Sequence, residues 1–306
     1  MSVVAQGGPL DGWARWLLKE RHGGDAAHAQ RLRIELDRYA NRVIDGLSLQ
    51  PGMTLLDIGS GDGLVAWRAI ERVGSTLQVV LTDLSADLLR NAQATARQRK
   101  VAGQCRFIRG AAERLDGIAA SSVDAVAMRA VLAYVHDKPA ALQECYRVLK
   151  PGGRLSLAEP LMQDEALDTI ALRRMVDSEQ ESAQLPLLTI MHKWKSAQFP
   201  DTLELLASHP LVNYSERDLL ALVRQCGFED IRMELHIEVK RCEGIPWATF
   251  IATSPHPWAP TLAEVLDDRF DAHERQFLED LLRPSIEAGI NHAVERIVYL
   301  TAGRPA

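Results

Sequence analysis

Apolar positions in this chain fall into short continuous runs separated by stretches with helical spacing, a pattern that predicts strands alternating with helices. Leu55–Ile58, Val79–Asp83, Cys105–Arg109, Val123–Met128 and Arg154–Glu159 read as five strands. Between them, Ser85 is placed to cap a helix over 86–100, and Asp137-Lys138-Pro139 opens a helix that stops at Pro151-Gly152-Gly153. Upstream, Trp13, Trp16 and Leu17 form one helical stripe, and Leu32, Leu36, Tyr39, Val43 and Leu47 form a second. The fifth strand is followed by roughly fifty-five residues before the next core helix, where a normal connection takes about 2–6. Leu167, Ile170, Ala171, Arg174 and Met175, then Leu187 to Trp194, give that insertion helical spacing. A helix over 215–226 and strands over 231–239 and 247–253 are expected next. Ser254 to Pro260 is too rich in proline for regular structure, and Thr261-Leu262-Ala263-Glu264 is a capping-box start. Three apolar helical faces follow, the last of them Ile286, Ile290, Val294, Ile297 and Val298. The expected organisation is therefore N-terminal helices (1–50), a nucleotide-binding core (51–160), a helical cap (161–214), the rest of the core (215–253) and a helical extension (254–306).

The first strand runs through Asp57 into Gly59-Ser60-Gly61-Asp62-Gly63. Alternate glycines let the chain turn sharply into a helix and leave room for a ligand against the backbone. A pyrophosphate turn wants a third glycine where this chain has Leu64, and a helix N-terminus free of negative charge. Asp57 and Asp62 instead suit a ligand with positive charge and no phosphate, and S-adenosylmethionine fits that description. Asp83 ends the second strand roughly twenty residues past the turn, where a carboxylate can accept both ribose hydroxyls.

Composition narrows the class. With 35 basic and 41 acidic residues among 306, the formal charge of −6 gives no general attraction to nucleic acid. No apolar run approaches the ~18 residues that span a bilayer, and the N-terminus has no basic-plus-apolar leader, so a soluble cytoplasmic protein is expected. Cys105, Cys145, Cys226 and Cys242 stand far apart, against a zinc site or disulfide frame, and no metal is expected. Cys145 and Cys226 sit in apolar helical patterns and read as buried thiols.

Five segments, LLDIGSGDG, LTDLS, RGAAERL, SVDAVAMRAVLAYVHD and ECYRVLKPGGRLSLAEP, occur in an order and spacing that resemble the class I S-adenosylmethionine-dependent methyltransferases, in particular the group of ubiquinone and menaquinone C-methylating enzymes. The resemblance covers about residues 53–160. It implies an α/β fold: a Rossmann-like, seven-stranded, mostly parallel sheet with helices on both faces, a last antiparallel strand between the fifth and sixth, and here a helical cap and helical C-terminal extension. It implies S-adenosyl-L-methionine as cofactor, held by Asp57, Gly59, Ser60, Gly61, Asp83, Leu84 and Arg129. That group often has Asp where this chain has Ala111, so adenine recognition would rest on Ala112 and Glu113. It often has His-His where this chain has Ala133-Tyr134. Tyr39 and Arg42 are lid residues by the same resemblance.

Methyl transfer is an in-line displacement at an activated methyl, so positioning dominates and a base is optional. His192 and His136 are candidate bases, as is Glu159, with His192 favoured for its neighbours Lys193 and Lys195. Tyr39, Tyr134, Lys193 and Trp194 are candidate acceptor contacts. Arg129 can take a carboxylate bidentately. The expected function is methylation of a small molecule, with O-methylation slightly ahead of N- or C-methylation and natural-product biosynthesis as a candidate setting. No nucleic-acid or membrane partner is expected, and a homodimer is left open. The competing readings are a cofactor-binding regulatory or scaffold protein without turnover and, disfavoured by the turn, a nicotinamide-dependent reductase. Scattered thiols fit arsenite methylation poorly.

Overall fold

In a computed structural model that describes residues 10–178 and 185–306, the five apolar runs form β1 (Thr54–Ile58), β2 (Gln78–Asp83), β3 (Cys105–Arg109), β4 (Val123–Arg129) and β5 (Leu149–Pro160). They pair in parallel in the order β3-β2-β1-β4-β5. Leu55, Leu56, Leu81, Val126 and Leu157 are buried, because helices cover both faces; that is why these strands are continuously apolar rather than alternating. The covering helices are α1 (Gly12–Leu18), α2 (Ala26–Asp45), α3 (Leu64–Val73), α4 (Ala86–Gln98) and α5 (Lys138–Val148). Ser85 caps α4, its hydroxyl accepting the Leu88 N–H at 3.0 Å, and Asp137 caps α5 through the Ala140 N–H at 2.9 Å. Strand order reverses between β1 and β4, which opens a crevice at their carboxyl ends.

The insertion is helical, as α6 (Gln163–Ser178), α7 (Leu185–Gln198) and α8 (Leu203–Ser208). Its end is tied to the core: Leu211 and Val212 are buried, and the Tyr214 hydroxyl donates to the Pro160 carbonyl at 2.8 Å. The buried Lys138 ammonium donates to the Pro210 carbonyl at 2.8 Å and the Val135 carbonyl at 3.0 Å. Helix α9 (Glu216–Gln225) then leads to β6 (Glu229–Arg241).

The last strand differs from the sequence expectation. Residues 247–253 do not make it; Trp247–Ile251 is helix α10, followed by α11 (Leu262–Arg269) and α12 (Ala272–Ala288). Trp247, Phe250 and Ile251 recur at helical spacing and pack with Leu262, Val265 and Leu278. The strand between β5 and β6 is β7 (His292–Gly303), antiparallel to both, so the segment 254–306 is an extension in its helices only and returns to the core sheet at its end. Ile290, Val294, Ile297 and Val298 imitate a helical stripe because β7 has apolar side chains on both faces, which erases the two-residue period.

Cys145 is buried as expected, whereas Cys226 is only half-buried at the end of α9. Among the described residues no helix is long and apolar enough to cross a membrane, and no cluster of metal-ligating side chains occurs.

Leu300, wholly buried in β7, tests the assignment of this strand. Leu300→Ala should cost about 2–5 kcal/mol of unfolding free energy by denaturant titration, whereas a loss under about 0.5 kcal/mol, the level of an ordinary surface substitution, would place the strand elsewhere.

Candidate cofactor and acceptor site

The turn from β1 to α3 is built on glycine for two reasons. Gly59, Gly61 and Gly63 have φ of 61°, 56° and 82°, where other residues are strained. A Cβ on Gly59 would also lie 2.5 Å from Val131 Cγ2, and one on Gly61 3.2 Å from Leu17 Cδ1. The Asp83 carboxylate locks the turn, accepting the Gly61 N–H through one oxygen and the Ser85 N–H through the other, each at 2.8 Å. Burial raises its pKa, with Asp11 adding repulsion. Asp57, also buried, accepts the Ala66 N–H at 3.1 Å, and burial pushes its carboxyl up to about 7 against the opposing pull of Arg129. The Ser60 N–H donates to the Thr82 carbonyl at 2.9 Å, yet its hydroxyl is buried without a hydrogen-bond partner. Asp62 faces outward and pairs with Arg33 at 2.7 Å, so the negative charge inside the turn is that of Asp57. Ala112 is buried and Glu113 half-buried beyond β3, while Leu84 is exposed beside Asp83.

The loop after β4 is held in a similar way. Glu159, fully buried at the end of β5, accepts the Val131 N–H at 3.0 Å and the Ala133 N–H at 3.2 Å. Burial lifts its carboxyl to about 6, but these amides fix it beneath the loop rather than over it, so the candidate base serves as a brace. The loop in turn presents Tyr134, whose phenol is pushed well up by burial and by Glu159, with Arg129 and Arg21 opposing. Arg21, in a short turn after α1, is pushed down to about 10 by burial and by Arg129. The two guanidiniums therefore share one small region, and neither has an ion-pair partner among the described residues.

Two segments far apart in the chain, residues 11–22 and 254–258, roof this edge. Leu17 of α1 lies over Gly61. The Asp11 N–H donates to Asp87 at 2.8 Å, and the Ser85 hydroxyl donates to Asp11 at 2.7 Å. From the other segment, the Ser254 carbonyl accepts the Trp16 indole N–H at 3.1 Å, and the Ser254 N–H donates to the Glu20 carbonyl at 3.1 Å. Trp13, Tyr134 and Trp258 meet edge to face, with centroids 5.1, 5.4 and 6.0 Å apart. Within the roof loop, His256 is buried, paired with the Gln198 carbonyl at 2.7 Å and pushed down to about 4 by burial. Sequence reasoning missed Asp11, Trp13, Arg21 and Trp258 as site residues; their partners are remote in the chain, and the only local sign was a proline-rich loop carrying a large aromatic.

Several expected contacts lie elsewhere. The Tyr39 hydroxyl donates to Glu295 at 2.5 Å, and Lys240 donates to Tyr39 at 3.3 Å, so Tyr39 belongs to the contact between α2 and the β6–β7 ribbon. His192 pairs with Asp201 at 3.1 Å, Lys193 with Glu274, and Lys195 with Glu165 at 3.2 Å. The basic cluster is thus consumed in joining helices and leaves no free cationic face. Trp194 packs edge to face on Phe250. His136 is exposed, its ring 6.4 Å from that of Trp258, and borders a groove with Asn213 and Gln225 on the outer side of α5.

The residues present fit S-adenosylmethionine: an orphaned Ser60 hydroxyl in a glycine cradle, a ribose-reach carboxylate at Asp83, and an acid at Asp57 for a cationic group. Comparisons with known proteins agree. Residues 56–157 match the methyltransferase domain family. Over 117 residues the chain is 36% identical to the ubiquinone/menaquinone biosynthesis C-methyltransferase UbiE of Haemophilus ducreyi, covering 38% of this chain and 45% of that one. The chain thus spans less than half the length of such relatives. Among solved structures, YcgJ of Bacillus subtilis has a TM-score of 0.56 at 16% identity, covering 88% of this chain and 99% of that one. The [4+2]-cyclase SpnF has a TM-score of 0.50 at 20% identity, covering 95% and 86%. These two establish the fold alone.

Two measurements probe the acids. Asp83→Ala leaves two buried amides and the ribose hydroxyls without their acceptor, so affinity for S-adenosylmethionine should fall by about 1.5–3 kcal/mol, roughly tenfold to a hundredfold in Kd by calorimetry. Unchanged affinity would remove Asp83 from the site. For Asp57 the folded pKa of about 7 lies above the unfolded value, so folding favours the protonated acid. Its contribution to stability is complete below about pH 4 and is lost as pH rises through 7. Asp57→Asn, which stays neutral, should therefore gain stability relative to the parent between pH 4.5 and 7.5 in paired denaturant titrations; a pH-independent difference would contradict the shift.

Proposed function

We propose that this chain, which carries a class I S-adenosylmethionine-dependent methyltransferase domain over residues 56–157, methylates a small-molecule acceptor held beneath Trp13, Tyr134 and Trp258. The observation that carries the reading is the meeting of two built elements at one sheet edge: a cofactor cradle locked by Asp83, with Leu17 against Gly61, and an aromatic group of Trp13, Tyr134 and Trp258 borne in part by the same N-terminal helix. When bound, the cofactor supplies an activated methyl group. Asp83 would hold the ribose, Asp57 would face the amino group and Ser60 would gain the partner that its hydroxyl lacks. The loop braced by Glu159 would keep Tyr134 in place, and the roof would exclude water, so that catalysis rests on orientation.

O-methylation of a phenol- or enol-like acceptor is the reading favoured for the chemistry. Arg21 and Arg129 place two positive charges beside Tyr134, where an acceptor oxyanion would be stabilised without a dedicated base. The reading does not rely on the expected bases: His192 pairs with Asp201 at 3.1 Å, and Glu159 accepts backbone amides. The name of the UbiE relatives speaks for a carbon acceptor, but the matched segment spans the cofactor half, and of the three roof aromatics Trp13 and Trp258 lie outside it. The helical insertion, residues 161–214, would border acceptor access from beyond β5. Service in natural-product biosynthesis and a cytoplasmic location belong to the same reading.

The assay is transfer of label from tritiated S-adenosylmethionine to a panel of phenols, enols, amines and thiols. Labelled ethers are expected. Arg129→Met should lower the single-turnover rate at saturating cofactor by about 10²-fold or more, while His192→Ala and His136→Ala stay within about tenfold, below the usual loss of a general base. A drop of that larger size in either histidine variant would restore it as base, and label found only on amines would overturn the O-acceptor. Cofactor binding without any transfer would favour a non-methylating use of the fold, of which SpnF, a [4+2]-cyclase, is an example.

A further inference from the structure

β6 is the edge strand of the sheet, paired on one side with β7 and on the other with nothing among the described residues. An edge of this length exposes a row of unpaired backbone N–H and C=O groups. One face of the strand carries Met233, Leu235, Ile237 and Val239. Met233 is half-buried against the main core, but beyond it the row emerges into solvent: Leu235 is 42%, Ile237 57% and Val239 66% exposed. Val294, the β7 partner of Val239, is exposed beside it. The other face carries Arg232, Glu234, His236, Glu238 and Lys240. Several of these already pair within the chain, Lys240 with Glu295 at 2.7 Å, Glu238 with Arg38 at 3.6 Å, and Glu234 with Arg42.

The order of these residues is complementary to itself. If two copies of β6 run antiparallel about a twofold at Leu235, Leu235 meets Leu235, Glu234 meets His236, Met233 meets Ile237 and Arg232 meets Glu238. Arg232 and Glu238 are then of opposite sign, Met233, Leu235 and Ile237 meet apolar partners, and Glu234 faces an imidazole that can donate to it, the combinations that stabilise antiparallel strands. A shift of the twofold to His236 sets Glu234 against Glu238 and Arg232 against Lys240. These are the like-charge pairs that destabilise. The register of the regular strand supports the same window, because the irregularity between Glu229 and Arg232, with Asp230 at φ 48°, falls just outside it.

We propose that β6 is a homodimerisation edge: two copies of this chain pair antiparallel through Arg232–Glu238 about Leu235, joining their sheets and covering Leu235 with its equivalent and Ile237 with Met233 of the second copy. The interface is isologous, so each pair off the axis occurs twice and a change at one such position is felt at two places. It lies on the far edge of the sheet from β3 and involves none of the cofactor or roof residues.

Sedimentation velocity over about 1–100 µM protein should show a reversible dimer. Arg232→Glu and Glu238→Arg, each of which sets like charges opposite one another twice, should each raise the dimer Kd by about tenfold or more. The double variant should restore dimerisation, because the pair is then re-formed with its signs exchanged. Melting temperature and S-adenosylmethionine affinity, measured on every variant, report whether each remains folded. A monomeric parent throughout this range overturns the proposal. So does a dimer indifferent to both single reversals, or failure of the double variant to recover while still folded.

Discussion

Buried carboxylates at one edge of the sheet hold the loops that follow its strands, and the rest of the site depends on them. Asp83 takes the amides of Gly61 and Ser85, Asp57 takes that of Ala66, and Glu159 takes those of Val131 and Ala133. Strand ends cannot satisfy these amides themselves, because the chain leaves the sheet in a turn. A hydrogen bond to an ionised acceptor contributes about 1.5–3 kcal/mol, enough to fix a loop that would otherwise sample several conformations. The same burial raises the pKa of each acid. The scaffold thus keeps costly groups inside so that two loops, the glycine turn and the segment bearing Tyr134, stand in set positions before any ligand arrives.

What covers these loops comes from two segments far apart in the chain. Residues 11–25 and 249–258 are sewn to one another by Trp16 to Ser254, Ser254 to Glu20 and Thr249 to Asp25 at 3.1 Å. Each segment has only short helices of its own, and their contacts close a loop of more than two hundred residues, an entropic cost that grows only slowly with length. The shared roof links the glycine turn and the aromatic group physically: Leu17 touches the turn four residues from Trp13.

Much of the cofactor half was legible in the chain because its determinants are local. A strand that ends in glycines at positive φ, an acid at the end of the next strand and caps at Ser85 and Asp137 are each set by a few neighbouring residues. The final strand was misread at 247–253 for a physical reason: β7 is covered on both faces, so Ile297, Val298, Tyr299 and Leu300 carry no alternation, while α10 is short and its Trp247-Ala248-Thr249-Phe250 is rich in residues that also suit strands. The acceptor side was illegible for another reason. Lys193 and Lys195 look like a free basic cluster until Glu274 and Glu165 are seen beside them, and Trp258 looks like loop debris until it meets Trp13 across most of the chain.

The charge pattern decides between two uses of such a scaffold. A site meant for an anionic phosphate ligand would keep carboxylates away from the glycine turn; here Asp57 is retained inside it at considerable desolvation cost, while Asp62 is neutralised outward by Arg33. Beyond β4 the sign changes: Arg21 and Arg129 repel one another and both oppose the rise that burial and Glu159 impose on the Tyr134 phenol. Arg129 also pulls on Asp57, so the loop after β4 and the glycine turn are linked electrostatically, and a change of charge in one is felt in the other.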